Sequence, residues 1–131
     1  MSSHVGFQAG DFFAPTLEES KIPPGMPTYI IRHVLLGRRD EVAIHILKAV
    51  RNAMLATTGD TKPKLLVCDM VRREDSPRFV YQMSMQLLSL NNGITRTEGN
   101  MVKLVEAAGY KVEKVVAMRA VDFIIEAIAL P

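Results

Sequence analysis

Thr28-Tyr29-Ile30-Ile31-Arg32-His33-Val34-Leu35-Leu36-Gly37-Arg38-Arg39-Asp40-Glu41 is the stretch that decides the fold. Residues 28–35 carry Tyr29, Ile30, Ile31 and Val34, and Gly37 with the basic pair Arg38-Arg39 closes them; a run of that length and composition predicts a buried strand. Asp40 then offers an N-cap with Glu41 in the first turn. Ala43, Ile46, Leu47, Val50 and Met54 recur at helical spacing until Thr57-Thr58-Gly59-Asp60 breaks the pattern, which predicts an amphipathic helix.

Downstream, Lys64 to Val71 is a second apolar strand, and Arg72 to Asp75 with Pro77 makes the turn into a long helix through Met83, Leu87 and Leu90,. Asn91-Asn92-Gly93 should stop it. Thr97 with Glu98 caps a further helix carrying Met101, Leu104, Val105 and Ala108, ended by Gly109,. Tyr110 to Ala117 and Asp122 to Ala129 read as two closing strands. Upstream, Val5 to Gln8 reads as a short strand, and Pro15 to Pro27, with Pro23-Pro24-Gly25, as a loop,. The order predicts an α/β fold whose sheet has parallel strands first and a C-terminal antiparallel pair, with flanking helices.

At 131 residues the chain is one domain, long enough to bury a core but short for a complete nucleotide-binding fold,. Its 48% apolar content, 23% charged content and net charge of +2 are those of an ordinary globular domain, which argues against a nucleic-acid partner,. The single cysteine, Cys68, excludes a disulfide within the chain and fits a reducing compartment,. No run approaches the roughly 18 apolar residues of a bilayer span, and Met1-Ser2-Ser3-His4 lacks the blocks of a signal peptide, so the expectation is a cytoplasmic protein without a membrane partner,.

Four segments in order, Gly10-Asp11-Phe12-Phe13, Tyr29 to Glu41, Lys64 to Met70 and Met83 to Gly109, resemble the plant and fungal class I O-methyltransferases of the caffeic acid and sterigmatocystin type. The most specific part is Gln86-Leu87-Leu88-Ser89-Leu90-Asn91-Asn92-Gly93 followed by Arg96-Thr97-Glu98 and Glu106-Ala107-Ala108-Gly109-Tyr110. The resemblance implies a Rossmann-like methyltransferase sheet that binds S-adenosylmethionine through a glycine-rich loop after its first strand. This sequence begins after that region, so the expectation is a truncated C-terminal half, residues 1–131, without the first cofactor-binding strands and without a cofactor. Asp11 and Phe12 match the family's adenine-contacting pair and are read as vestigial, a loop carboxylate and a packing ring.

The family's base is a histidine in a His-Asp-Trp run, needed because a neutral hydroxyl is a poor nucleophile. Here that run reads Leu36-Gly37-Arg38, and leucine accepts no proton. Of the two acidic residues that flank the base in the family, Asp69 matches the first in kind and Thr95 replaces the second, while Ser84 stands where fungal relatives usually have aspartate. Methyl transfer by this base is therefore not expected.

Other residues carry two readings each. His33 is either a hydrogen-bonded strand residue or a new acid or base. Asp69 lies at the carboxyl end of a parallel strand, where ligands of open α/β sheets gather, as a polar anchor or a functional acid or base. His45 is read as surface, Arg38-Arg39 and Arg72-Arg73 as solvated, and the eight methionines as core or as an adaptable apolar lining,.

The strand Tyr29 to Val34 would lack its family neighbour, and an open apolar edge invites pairing, so a homodimer, strand-exchanged in the extreme, is expected. The leading functional expectation is a cofactor-independent cyclase or isomerase acting on an apolar or aromatic specialised metabolite. Its expected catalytic residues are Asp69, His33 and Arg32, its substrate-binding residues Met83, Gln86, Leu90 and Leu36, and no metal is involved. The alternative is a non-catalytic partner of a full-length methyltransferase or another biosynthetic enzyme.

Overall fold

The computed structural model describes residues 5–60, 62–91, 95–119 and 121–131. In chain order these form α1 (Leu17–Ser20), β1 (Thr28–Arg32), α2 (Asp40–Leu55), β2 (Lys64–Met70), α3 (Arg78–Asn91), α4 (Glu98–Ala107), β3 (Tyr110–Ala117) and β4 (Asp122–Ala129). Four strands make one sheet in the order β1-β2-β4-β3. β1 runs parallel to β2, with Ile30 opposite Leu66, while β4 is antiparallel to both of its neighbours. A register shift between Val112 and Lys114 bulges β3.

α2 and α4 pack against each other and cover one face of the sheet. Ala43, Ile46, Leu47, Val50 and Ala53 from α2 and Met101, Leu104 and Val105 from α4 meet Leu65, Val67, Ile125 and Ala127 from the central strands. Tyr110 is buried among them and donates its phenolic proton to the Leu47 carbonyl at 2.6 Å, and burial holds that proton far above the ordinary range,. α4 begins as its sequence requires, with Thr97 Oγ1 accepting the Asn100 N–H at 3.2 Å,. Gly109 ends it at φ 93°, and a Cβ there would sit 2.6 Å from the Arg51 guanidinium. Among the described residues no helix is long and apolar enough to cross a membrane.

Five sequence expectations need correction. Residues 5–10 form no strand; the segment is irregular and tied down by Gln8 Nε2 donating to the Lys21 carbonyl at 2.6 Å. The expected loop 15–27 contains the single turn α1, capped by Thr16. The first strand stops at Arg32 and is buried on one face only, with Tyr29 and Ile31 inside and Ile30 64% exposed. The second strand ends at Met70, one residue before the expected Val71. Asp40 does not cap α2: Arg39 is the N-cap and makes no side-chain cap bond. The expected stop at Asn91-Asn92-Gly93 lies, beyond the backbone of Asn91, outside the described residues.

Asp40 has another partner. The guanidinium of Arg96, 3% exposed, donates from Nε to Asp40 Oδ1 at 2.9 Å, from Nη1 to the Leu35 carbonyl at 2.9 Å, and from Nη2 to the Arg38 carbonyl. The Arg96 carbonyl in turn accepts the Arg72 N–H at 2.8 Å. One side chain thereby fixes the β1–α2 turn while its backbone fixes Arg72, two residues past the end of β2. Arg96→Met would strip the Arg38 carbonyl of its guanidinium donor and leave the Leu35 carbonyl only the Arg38 N–H at 3.2 Å, so urea unfolding should show a loss of about 2 kcal/mol. Arg96→Lys, which keeps the charge but not the planar fork, should recover only a part of it.

Candidate functional site

The turn held by Arg96 forms one wall of a cleft at the carboxyl end of β1. The chain leaves the strand through two left-handed residues, His33 at φ 53° and Gly37 at φ 75°. Glycine accepts that conformation freely, and histidine does so at a cost of about 1 kcal/mol or more. The turn packs against α3 through Leu87, whose Cδ2 lies 3.0 Å from where a Cβ on Gly37 would sit. The cleft has a volume of about 610 Å³; Phe12, His33, Val34, Leu36, Gly37, Arg38, Arg39 and Val42 line it. The lining is half apolar and carries two guanidiniums and no carboxylate. Arg38 Nε donates to the Val34 carbonyl at 3.0 Å, and its guanidinium lies 5.4 Å from the Phe13 ring centroid.

Asp69 lies behind this wall and is 2% exposed. Its Oδ2 accepts the Leu36 N–H and its Oδ1 the Met70 N–H, both at 3.1 Å. Burial disfavours the charged carboxylate, while these two donors and the nearby His33 favour it; burial wins and pushes the pKa up to about 6,. A carboxyl so placed changes protonation close to neutral pH.

His33 and Asp122 form the second polar feature. His33 Nε2 is 2.9 Å and 2.8 Å from the two carboxylate oxygens of Asp122, the first residue of β4. The ring therefore reaches across the end of β2, whose Met70 is paired with Asp122. The His33 side chain is 44% exposed and that of Asp122 13%.

Of the residues expected from the sequence, His33 and Leu36 line the cleft and Asp69 holds its wall from behind. Arg32 is exposed at the end of β1. Met83, Gln86 and Leu90 lie on α3 and none of them lines the cleft; Gln86 and Leu90 are exposed and Met83 is half-buried. Thr95 is fully buried, with its Oγ1 unpartnered among the described residues, and its N–H donates to Ser84 Oγ at 3.4 Å. His45 is bonded through Nε2 to the Phe13 carbonyl. Asp122, Arg96 and Leu87 were not anticipated; Asp122 lies 89 positions from His33, beyond any local signal.

The described residues include one pair, Asp11 and Phe12, that the resemblance places against the adenine of S-adenosylmethionine. Asp11 Oδ1 accepts the Phe13 N–H at 2.9 Å, folding the carboxylate onto its own turn, and Phe12 meets Phe13 edge-on at 4.9 Å. Phe12 is thus one ring in a cleft that also carries Arg38 and Arg39. Among the described residues no group of three His, Cys, Asp or Glu is placed to hold a metal ion.

Residues 1–111 match the model of the O-methyltransferase domain. The mitomycin biosynthesis 6-O-methyltransferase of Streptomyces lavendulae is 31% identical over 105 residues, covering 80% of this chain and 27% of that protein. The solved structure of LaPhzM superposes with a TM-score of 0.79 at 28% identity, covering 95% of this chain and 35% of that one. A structure described as a pericyclic reaction enzyme superposes at 0.70 over 92% of this chain and 29% of that one, and its 19% identity speaks to the fold alone. The chain thus spans about a quarter of the length of the curated relatives it matches and about a third of the solved structures.

Because the native pKa of Asp69, about 6, lies above its ordinary value of 3.8, the folded state holds this proton more tightly than the unfolded chain. Its contribution is fully present below about pH 4 and is lost as pH rises through about 6, a fall of about 3 kcal/mol. Denaturant unfolding of Asp69→Asn, which cannot ionise, should lack that fall; an unchanged pH profile would contradict the burial of this carboxyl.

Proposed function

The chain belongs to the O-methyltransferase family, and from that premise we propose that it acts without S-adenosylmethionine, as a cyclase or isomerase closing a ring in an apolar or aromatic specialised metabolite. The observation that carries the reading is the cleft itself. At the position that corresponds to the family's base stands Leu36, whose backbone N–H is bound to the buried Asp69, while a histidine–carboxylate pair occupies the rim instead.

Such a cleft can bind and orient. Phe12, Val34, Leu36 and Val42 offer an apolar floor, and Arg38 and Arg39 attract a substrate that is anionic or becomes so,. Holding a flexible chain near its reactive conformation lowers a cyclisation barrier by several kcal/mol, on the order of the effective-molarity gains of intramolecular reactions, before any proton moves. In this reading His33 is the acid–base group that faces the cleft, Asp69 acts from behind by holding the Leu36 wall, Arg32 is an outer charge, and Leu36 is the substrate contact. Met83, Gln86 and Leu90 serve a substrate long enough to reach α3. The pericyclic reaction enzyme shares the fold, so ring closure is compatible with this architecture.

A second reading, a non-catalytic partner subunit, is favoured by a different surface. β1 has a free outer edge among the described residues, with Ile30 64% exposed, and α3 exposes Phe79, Met85, Leu88 and Leu90. In the catalytic reading the same edge forms a homodimer, strand-exchanged in its tightest form.

Purified chain incubated with a panel of linear aromatic polyketides and no cofactor should yield a cyclised or isomerised product, and Asp69→Ala should lower the rate at least tenfold. Turnover found only after adding a full-length methyltransferase would favour the partner reading. Clear thermal stabilisation by S-adenosylmethionine would overturn the cofactor-independent one.

A further inference from the structure

We propose that His33 and Asp122 form a proton-transfer pair that enolises an apolar ketone bound in the cleft, with His33 as the catalytic base and Asp122 as its positioning residue. The inference rests on the reading of the cleft as a substrate site and names the substrate class: a carbonyl compound with an acidic C–H beside the carbonyl.

Three independent observations converge on the pair. First, His33 holds a left-handed backbone at φ 53° although it is not glycine. A side chain kept in such a conformation is held there by its surroundings, and residues of this kind cluster at functional sites. The backbone of His33 still donates to the Cys68 carbonyl at 3.0 Å, so the ring is turned toward β4 without loss of the strand bond. Second, both oxygens of Asp122 converge on the same ring nitrogen, Nε2. A carboxylate only accepts, so Nε2 carries a proton, and in the neutral ring the lone pair then lies at Nδ1. An imidazole oriented in one tautomer by a carboxylate is the arrangement that general-base catalysis requires. Third, the ring is 44% exposed and lines the cleft that also receives Arg38 and Arg39. The charged and titratable groups near the pair are Arg32, Cys68 and Asp69, and both of the latter sense Asp122.

The step balances without any further reactant. The C–H bond next to the carbonyl breaks, its electrons move into the new C–C double bond, and the carbonyl oxygen becomes the enolate oxygen. The proton goes to Nδ1, giving an imidazolium paired with the Asp122 carboxylate. Return of a proton to the original carbon gives exchange, and return to a more distant carbon gives isomerisation. The enolate charge develops beside Arg38 and Arg39, which favour it.

The probe is 2-tetralone, an apolar aromatic ketone, followed by proton NMR in D2O as its benzylic C–H adjacent to the carbonyl exchanges. The full chain should accelerate exchange saturably, and His33→Gln should abolish the acceleration. Asp122→Asn should lower kcat at least tenfold with KM nearly unchanged, because an amide can donate to Nε2 and so favour the wrong tautomer; the same change in a serine-protease triad costs about 10⁴-fold. Nitrogen-15 spectra of the histidine ring should show Nε2 protonated and Nδ1 unprotonated in the native chain, and Asp122→Asn should shift that pattern. Exchange that is no faster with the native chain, a native rate in Asp122→Asn, or a His33 ring protonated at Nδ1 each overturns the pair. Exchange without ring closure of any polyketide would leave the pair standing while the cyclase reading falls, so the two failures are separable.

Discussion

The Arg96 guanidinium joins the β1–α2 turn to the segment before α4, and the rest of the site depends on that junction. Its three nitrogens donate to Asp40, to the Leu35 carbonyl and to the Arg38 carbonyl, so the turn cannot move without breaking all of these bonds to a buried guanidinium,. Held in place, the turn presents the Leu36 N–H to Asp69 on one side and Arg38 and Arg39 to the cleft on the other. The same fork explains how α2 begins without a side-chain cap: Asp40 remains in its first turn, favoured by the helix dipole, while Oδ1 serves Arg96,.

Much of the scaffold was legible because its signals are local. Thr97 caps α4, Gly109 ends it, and the spacing of Met101, Leu104 and Val105 sets its buried face; β3 and β4 begin and end where the sequence placed them. The misreadings occur where a distant residue decides. The apolar run 28–35 has no punctuation at Arg32, and the strand ends there because His33 turns left-handed toward Asp122 while Leu35 buries itself in the turn. Asp40 has the composition of a cap, but its partner lies 56 residues away. Val5 to Gln8 has strand-like composition without a strand beside it among the described residues, and a lone strand has no stability of its own.

The candidate site was legible in parts. Asp69, His33 and Leu36 could be singled out, Asp69 by its place at the end of a parallel strand and Leu36 by its place in the family pattern. Their mutual arrangement could not be read, because it depends on β4 entering antiparallel beside β2 and bringing Asp122 to the top of the sheet. In the resulting electrostatics, positive charge faces the cleft and the nearest buried carboxyl holds its proton up to about pH 6.

The pinned turn seals Asp69 from water and so sets the character of the cleft wall. That closure is tested most directly by following the carbon-13 shift of the Asp69 carboxyl carbon through a pH titration of the folded protein. A midpoint near 6 is the predicted result. A midpoint at the ordinary aspartate value, about 4, would mean that water reaches the carboxyl and that the turn does not close over it.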